Sequence, residues 1–307
     1  MRIVFMGTPE FAIPSLNILL DNHYDVAAVV TVPDKPAGRG QHLTLSPVKT
    51  FAIQHGLDVL QPERLKDPIF VTAINDLKPN IIVVVAFRIL PPEIFTIPLV
   101  GAFNLHASLL PKYRGAAPIN WAIMNGEKET GVTTFLLQEK VDTGSIILQA
   151  RIPIGNDDTA GDIHDKLAEV GAEIVLHTVR LLESGKASPK SQDNMQATPA
   201  PKIFKDDCRI NWNRSATEVH NFVRGLSPYP GACTFYGEAM LKIYRSHVLP
   251  EVAKCSPGEI LQSDDRLLVG AKQGGIEILE LQQEGKKRLS AGEFLRGYRM
   301  DKGGVLL

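Results

Sequence analysis

The most constraining feature of this sequence is a nearly unbroken apolar run, IIVVVAF, at residues 81–87. Such a run is typical of a central strand in a parallel sheet, because helices bury that strand on both faces. Shorter apolar segments surround it, and segments of helical pattern separate them. This alternation predicts an α/β fold with a doubly wound, Rossmann-like and mostly parallel sheet. The other predicted strands are residues 2–6, 26–32, 102–106, 132–137 and 146–152, and the first predicted helices are residues 11–20 and 47–55.

A long helical pattern closes this first half, with Thr159 and Asp162 as a capping pair and Gly185 as its C-terminal cap. Residues 188–204 are rich in polar residues and proline and have no apolar period, so they are predicted to be a linker. The chain is thus divided into a first domain at residues 1–187, the linker, and a smaller OB-like β-barrel domain at residues 205–307. The patterns behind the barrel are a helix at residues 215–226 and short strands at residues 232–236, 240–247, 258–262, 266–271 and 275–282.

Length and composition agree with two globular domains. The chain has 307 residues, of which 44% are hydrophobic and 22% are charged, and its net charge is −1. Its cysteines, Cys208, Cys233 and Cys255, are odd in number and widely separated, with no C-x-x-C spacing. The first residues carry too short an apolar run for a signal peptide. The sequence therefore predicts a protein of the reducing cytoplasm with no disulfide framework.

Two polar residues lie at the end of the strand predicted at residues 102–106. Asn104 and His106 are two positions apart, so their side chains project to one side while Leu105 points away. Open α/β folds bind ligands at this edge of the sheet, and an amide and an imidazole can together stabilise an oxyanion. Taken alone, such a pair is more often structural than catalytic. Asp142, on a turn between two predicted strands, would likewise ordinarily bond its own backbone.

Taken together, these residues resemble the active-site signature of the folate-dependent formyltransferases. Asn104, His106 and Asp142 match that signature, and so does the run SLLPKYRG at residues 108–115. The resemblance implies that the three residues are catalytic. It also implies that Asn104 and a protonated His106 donate hydrogen bonds to the formyl oxygen. Asp142 would favour the charged imidazole and help to accept the proton of the attacking amine.

The same resemblance implies a donor, 10-formyltetrahydrofolate, and neither a metal nor a nicotinamide. The pterin ring would lie near Phe87 and Asp142. The residues implied to lie along the folate are Ser108, Leu109, Leu110 and Pro111.

Three further features resemble one branch of that superfamily, whose acceptor is methionine attached to the initiator tRNA. The implied reaction is formyl transfer to the α-amino group of methionyl-initiator-tRNA, which yields N-formylmethionyl-tRNA for translation initiation. The implied reaction needs only a monomer of the protein. The C-terminal β-barrel domain of that monomer would face the tRNA. The polar loop at residues 33–46 would contact the acceptor stem through Arg39 and, secondarily, Lys35. The segments concerned are MGTPEFA at 6–12, DKPAGRG at 34–40 with SPVK at 46–49, and GKK at 285–287 with FLRG at 294–297.

Two other functions fit parts of this pattern. A formyltransferase that acts on an amino sugar nucleotide, or on another small amine, would keep the three polar residues without needing the 33–46 loop or the linked barrel. A module that binds folate or RNA without catalysis would not need Asn104, His106 and Asp142 together. The sequence also departs from its relatives near the expected pterin site, where Arg88 replaces a frequent glycine and residues 138–140 read Gln-Glu-Lys.

Overall fold

The computed structural model of the protein describes residues 1–37, 42–252, 255–262 and 264–307. Contacts between residues divide the chain into two compact units, each assembled from several segments. The domain boundaries predicted at residues 187 and 205 remain predictions. The first unit comprises Met1–Gly115, Gly131–Ile152 and His164–Pro199, and the second comprises Ala116–Thr130, Pro153–Ile163 and Ala200–Leu307.

The first unit is built on a mostly parallel sheet. Within the part of the chain that the structure describes, its strands in chain order are β1 (Arg2–Gly7), β2 (Asp25–Val30), β3 (Lys35–Ala37), β4 (His42–Thr44), β5 (Val59–Leu60), β6 (Ile81–Val85), β7 (Gly101–His106), β8 (Glu129–Leu136) and β9 (Ile146–Pro153). Seven of them form one sheet in the order β5-β2-β1-β6-β7-β8-β9, and β3 pairs with β4 in a separate hairpin. The first five strands of that order are parallel, and β8 runs antiparallel to β7. The doubly wound, Rossmann-like fold is therefore confirmed.

Strand β6 lies at the centre of the sheet, between β1 and β7. All its residues are buried, as the apolar run predicts. The strand ends at Val85 rather than at the predicted residue 87. The reason is that Ala86 adopts a left-handed backbone, with φ 47°, which an extended strand does not allow.

Helices alternate with these strands, and their ends follow local capping signals. Ser46 caps the start of α2 (Pro47–Gln54), and its Oγ accepts a hydrogen bond from the Lys49 backbone N–H at 3.1 Å. No helix is predicted from the sequence at α3 (Pro68–Asp76), although Asp67 gives a similar start signal and accepts from Ile69 N–H at 2.9 Å. None of the helices in the described residues could cross a bilayer. In chain order the helices up to the linker are α1 (Ile13–Asp21), α2 (Pro47–Gln54), α3 (Pro68–Asp76), α4 (Pro92–Phe95), α5 (Pro118–Met124) and α6 (Ala160–Glu183).

The second unit contains a curled antiparallel sheet, which confirms the smaller β-domain predicted from the sequence. Its strands are β10 (Ala232–Tyr236), β11 (Ala239–Leu249), β12 (Ile260–Gln262), β13 (Leu267–Gly270), β14 (Gly275–Gln283) and β15 (Leu289–Ser290), and its further helices are α7 (Ala216–Gly225) and α8 (Ala291–Gly297). The strand order is β10-β11-β14-β13-β12, and β15 pairs with β14. The predicted strands all appear, because each is short, apolar on one face and bounded by turn residues.

The C-terminal residues connect the two edge strands of this sheet. Leu307 exchanges both backbone hydrogen bonds with Phe235 of β10, at 2.9 and 3.0 Å. Leu306 donates to Gly258 O at 2.8 Å, and Gly304 O accepts from Ile260 of β12 at the same distance. The edges that an open sheet would leave unpaired are thus covered, and the sheet curls into a barrel.

Candidate active site

The site is built around the end of strand β7, where Asn104 and His106 follow the period of two. Leu105, between them, packs towards α6, since a Cβ on Gly171 would come within 2.7 Å of its Cδ2. Asn104 is half-buried and pairs in register with Val84 of the central strand. The rigid sheet therefore fixes the position of both polar residues.

His106 is buried, and its ring contacts a backbone carbonyl group. Its Nε2 lies 2.8 Å from the carbonyl oxygen of Tyr113. A carbonyl can only accept, so Nε2 carries a proton and Nδ1 is the ring atom left for chemistry. In this arrangement Nδ1 can donate only when the imidazole is protonated on both nitrogens.

Asp142 has a left-handed backbone, with φ 54°, which aspartate tolerates better than most residues. Its Oδ2 accepts a hydrogen bond from the backbone N–H of Gly115 at 3.0 Å. This bond joins the aspartate to a segment distant in the sequence. The aspartate turn is closed by Thr143, whose hydroxyl donates to Lys140 O at 2.7 Å. His106 is hydrogen-bonded to Tyr113, and Asp142 is hydrogen-bonded to Gly115. The segment of residues 113–115 therefore connects the two side chains.

Asn104 and Asp142 line the same cavity, together with Phe87. The described lining of this cavity does not include His106 or the 108–111 segment. Its walls are largely apolar and aromatic, which suits a flat ring with a few polar edges. The remaining lining residues are Val84, Arg88, Ile89, Leu90, Phe95, Phe135, Leu137, Gln138, Glu139 and Val141.

Arg88, one of the lining residues, is tied to a neighbouring segment of the chain. Its guanidinium donates to the carbonyl oxygens of Pro62 and Glu63 at 2.8 and 3.0 Å. The guanidinium carbon also lies 5.2 Å from the centre of the Phe87 ring. Two of its N–H groups are therefore used at the rim, whereas its Nε is buried without a hydrogen-bond partner among the described residues.

The loop after β7 is held by buried side chains. Ser108 is fully buried, and its hydroxyl donates to Lys112 O at 2.7 Å. Thr133 of β8 donates to Ser108 O at 2.6 Å and accepts from Leu110 N–H at 3.1 Å. Leu109 is half-buried and Leu110 is buried. These contacts fix the loop's shape, while a role of Ser108, Leu109, Leu110 and Pro111 along the folate stays a prediction.

One residue that the sequence interpretation missed is Gln192, which lies in the predicted linker. Its Nε2 donates to the carbonyl oxygens of Asp142 and Gly144 at 3.0 and 2.8 Å. Its Oε1 accepts from Arg114 at 2.6 Å. Gln192 thus clamps the aspartate turn from a segment whose composition shows no sign of structure. No local sequence signal indicates this role.

Of the two residues predicted to contact tRNA, Lys35 is exposed on β3, and Arg39 lies outside the described residues. The hairpin that carries Lys35 is anchored by its neighbour Asp34. Lys49 donates to Asp34 Oδ2 at 2.5 Å, and Gln61 donates to Asp34 Oδ1 at 2.8 Å. Hydrogen bonds from Lys49 and then from Gln61 lower the pKa of Asp34.

Comparison with known proteins identifies the family and the fold. A family model described as formyl transferase matches residues 1–179, and one described as formyl transferase, C-terminal domain, matches residues 202–299. The chain therefore belongs to the formyl transferase family. A solved N-formyltransferase from Helicobacter canadensis, in complex with folinic acid and dTDP-3-aminofucose, shares the fold with a TM-score of 0.70. It is 22% identical, and the match covers 94% of this chain and 100% of that chain.

Within the family, full-length relatives carry one particular name. The methionyl-tRNA formyltransferase of Caldanaerobacter subterraneus subsp. tengcongensis is 50% identical over 308 residues, which cover 100% of both chains. The methionyl-tRNA formyltransferase of Bacteroides fragilis is 48% identical over 310 residues, with 98% of this chain and 96% of the relative covered. These relatives confirm the branch that the sequence resemblance predicts, rather than the sugar-nucleotide branch.

Proposed function

We propose that the protein transfers the formyl group of 10-formyltetrahydrofolate to the α-amino group of methionyl-initiator-tRNA. The product is N-formylmethionyl-tRNA, which serves translation initiation. The observation that carries this proposal is the arrangement at the end of β7. There Asn104 and Asp142 line one cavity, and the segment from Tyr113 to Gly115 connects Asp142 to His106.

The cavity has the chemistry that a pterin ring needs. Phe87 and its apolar neighbours supply flat, dry walls, and Asn104 and Asp142 supply polar groups. Arg88 uses its guanidinium on the Pro62 and Glu63 carbonyls and so strengthens the rim. The residues present therefore fit a folate-derived donor, and we assign the contacts along it to Ser108, Leu109, Leu110 and Pro111.

When bound, the donor supplies a formyl carbon activated by its attachment to an aniline-like nitrogen. Asn104 would donate its amide N–H to the formyl oxygen as charge develops there. His106 would donate from Nδ1 in its protonated form, because Nε2 is committed to Tyr113 O. A preorganised donor of this kind lowers a barrier by about 3–4 kcal/mol.

The acceptor amine needs to lose a proton during the transfer. An ordinary α-amino group titrates at about 7.7–8.0, so a fraction of it is neutral near pH 7. Asp142 would take the proton that the attacking nitrogen releases, directly or through water. The folate nitrogen gains a proton as it leaves, so the transfer balances.

The methionyl-tRNA would be held by groups outside the cavity. Lys35 is exposed on the β3–β4 hairpin, and the Asp34–Lys49 pair fixes the base of that hairpin. We assign phosphate and base contacts to Lys35 and to Arg39, and a tRNA-facing role to the C-terminal barrel. The cysteines are free thiols, which supports a cytoplasmic setting, and we expect a monomer.

The test is to incubate the protein with 10-formyltetrahydrofolate and follow formyl incorporation into three acceptors. These are methionine-charged initiator tRNA, methionine-charged elongator tRNA and free methionine. We expect rapid transfer to the initiator tRNA alone. Transfer to an amino sugar nucleotide, with none to the initiator tRNA, would overturn the proposal. Unchanged transfer by Asn104→Ala would remove Asn104 from the mechanism.

A further inference from the structure

The second unit contains a cavity of about 440 Å³ that the transfer chemistry does not use. Its size lies within the range of sites that hold small ligands. Three of its lining residues are lysines, and none of the described ones is acidic. The lining consists of Ala116, Ala117, Asn120, Lys202, Ile203, Phe204, Lys205, Cys208, Tyr229, Pro230, Gly231, Cys233, Met240 and Lys242.

Two aromatic side chains of this lining are unusually exposed. Phe204 is 61% exposed and Tyr229 is 82% exposed. Single exposed apolar residues are common on protein surfaces, but two aromatic residues that line one cavity form a patch. Proteins that bind single-stranded nucleic acid present aromatic rings in this way, because every base has a face that can stack on them.

The lining itself carries three positive charges, while the carboxylate of the adjacent Asp207 accepts a hydrogen bond from the Phe204 backbone N–H at 2.8 Å. The ammonium of Lys202 lies 5.3 Å from the centre of the Phe204 ring, so ring and cation are presented together. Lys242 is anchored by a hydrogen bond from its Nζ to Pro230 O at 2.8 Å. With Lys205, these cations attract a polyanion and repel other cations. Cys208 and Cys233 are buried members of the same lining and give it an apolar floor.

We infer that this cavity binds an unpaired nucleotide of the tRNA. The base would stack on Phe204 or Tyr229, and the lysines would hold the adjoining phosphates. Rings and cations together suit a nucleotide, whereas an apolar protein segment would leave three ammonium groups facing an uncharged partner. The inference rests on the proposed function, because it takes the partner to be the tRNA substrate.

The test separates the aromatic faces from the volume of the side chains. A double variant, Phe204→Leu with Tyr229→Leu, keeps apolar bulk and removes both rings. A second double variant, Phe204→Tyr with Tyr229→Phe, keeps both rings. Leu279→Ala, a half-exposed position on β14 outside the lining, serves as the matched control. The dissociation constant of uncharged initiator tRNA is measured for each by fluorescence anisotropy at several salt concentrations.

We expect the leucine double variant to bind the tRNA about tenfold more weakly, as loss of one stacked base predicts. The ring-preserving variant and the Leu279→Ala control should match the parent. Lys205→Met should weaken tRNA binding. It should also reduce the slope of the logarithm of the binding constant against the logarithm of the salt concentration by about one.

Three results would overturn the inference. One is parental affinity in the leucine variant, and another is equal weakening by both double variants. The third is a parent dimer that the leucine variant dissolves, because the cavity would then receive a second copy of the chain. In each case formylation of initiator tRNA by the parent would leave the proposed function intact. A parent that neither binds nor formylates this tRNA would instead overturn the proposed function.

Discussion

The imidazole Nε2 of His106 lies 2.8 Å from the carbonyl oxygen of Tyr113, inside the first unit. This contact decides which ring nitrogen can act on a substrate, because a carbonyl oxygen has no proton to give. Nε2 must be the donor, and Nδ1 is the ring nitrogen that remains for a further contact. Tyr113 itself has a left-handed backbone, with φ 59°, so the carbonyl is held in place by a turn of unusual conformation.

We therefore expect the neutral form of His106 to be the Nε2-protonated tautomer. Nitrogen-15 chemical shifts of the labelled protein distinguish the two tautomers directly. A matched spectrum of the His106→Gln variant assigns the signals. An Nδ1-protonated neutral ring would contradict this account, because Nε2 and the Tyr113 carbonyl would then face each other as two acceptors.

Asp142→Asn tests the charge of the aspartate separately from its shape. The amide oxygen can still accept from Gly115 N–H, so the turn should persist and the melting temperature should change little. The carboxylate that we propose as the acceptor of the amine proton is lost. We expect kcat/KM for methionyl-initiator-tRNA to fall about 10²–10³-fold. Asp76→Asn, at the exposed end of α3, is the control and should keep parental kinetics.

Gln192→Met tests the clamp on the aspartate turn. Methionine has a similar shape but cannot replace the hydrogen bonds to Asp142 O, Gly144 O and Arg114. We expect a loss of about 1–3 kcal/mol in the free energy of unfolding, measured by urea denaturation, with a parallel fall in kcat. Gln196→Met changes the same residue type in the same segment, where the side chain is exposed and donates to Asp193. Equal effects of the two changes would argue against the clamp.

Local patterns were sufficient to predict most of the fold. The apolar run of β6 and the short strands of the barrel are set by neighbouring residues, and so are the caps of α2 and α6. Asn104 and His106 could be placed on one side of the sheet for the same reason, since a strand's period of two is a local property. The helix α3 was equally predictable, because Asp67-Pro68 is a local start signal.

Contacts between distant positions could not be predicted in this way. Asp142 and Gly115 are 27 positions apart, and Gln192 and Asp142 are 50 apart, so tertiary packing alone brings them together. The 188–204 segment has a linker's composition even where Gln192 is fixed by hydrogen bonds. The closure of the barrel by Leu306 and Leu307 likewise depends on the positions of both edge strands. A resemblance to a family can indicate such residues, whereas composition and periodicity cannot.

His220, in the second unit, makes stability depend on pH. It is buried on α7, where its Nδ1 lies 3.0 Å from Ser246 Oγ and its Nε2 lies 3.0 Å from Asn156 O. Burial lowers the pKa of His220 below its ordinary value of 6.5, and Arg224 and His247 act in the same direction. The Asn156 carbonyl and the carboxylate of Asp157 oppose this shift without reversing it.

The direction of the effect depends on whether the folded or the unfolded chain takes up a proton at the higher pH. The unfolded chain, with its ordinary pKa, takes up a proton as the pH falls below about 6.5, while folded His220 stays neutral. The free energy of unfolding therefore decreases from about pH 6.5 downwards, until the pH reaches the lower pKa of the folded state. Above about pH 6.5, His220 is neutral in both states and contributes no pH dependence.

We expect His220→Gln to remove this part of the pH dependence. Urea denaturation of the parent and the variant, at pH values from about 7.5 down to 5, gives the two slopes to compare. At the upper end of this pH range the variant should have a lower free energy of unfolding than the parent, because it loses packing. As the pH falls, that free energy should change less in the variant than in the parent. His177→Gln, at an exposed position of α6, is the matched control and should keep the parental slope. A parental slope in His220→Gln would show that another group carries the effect.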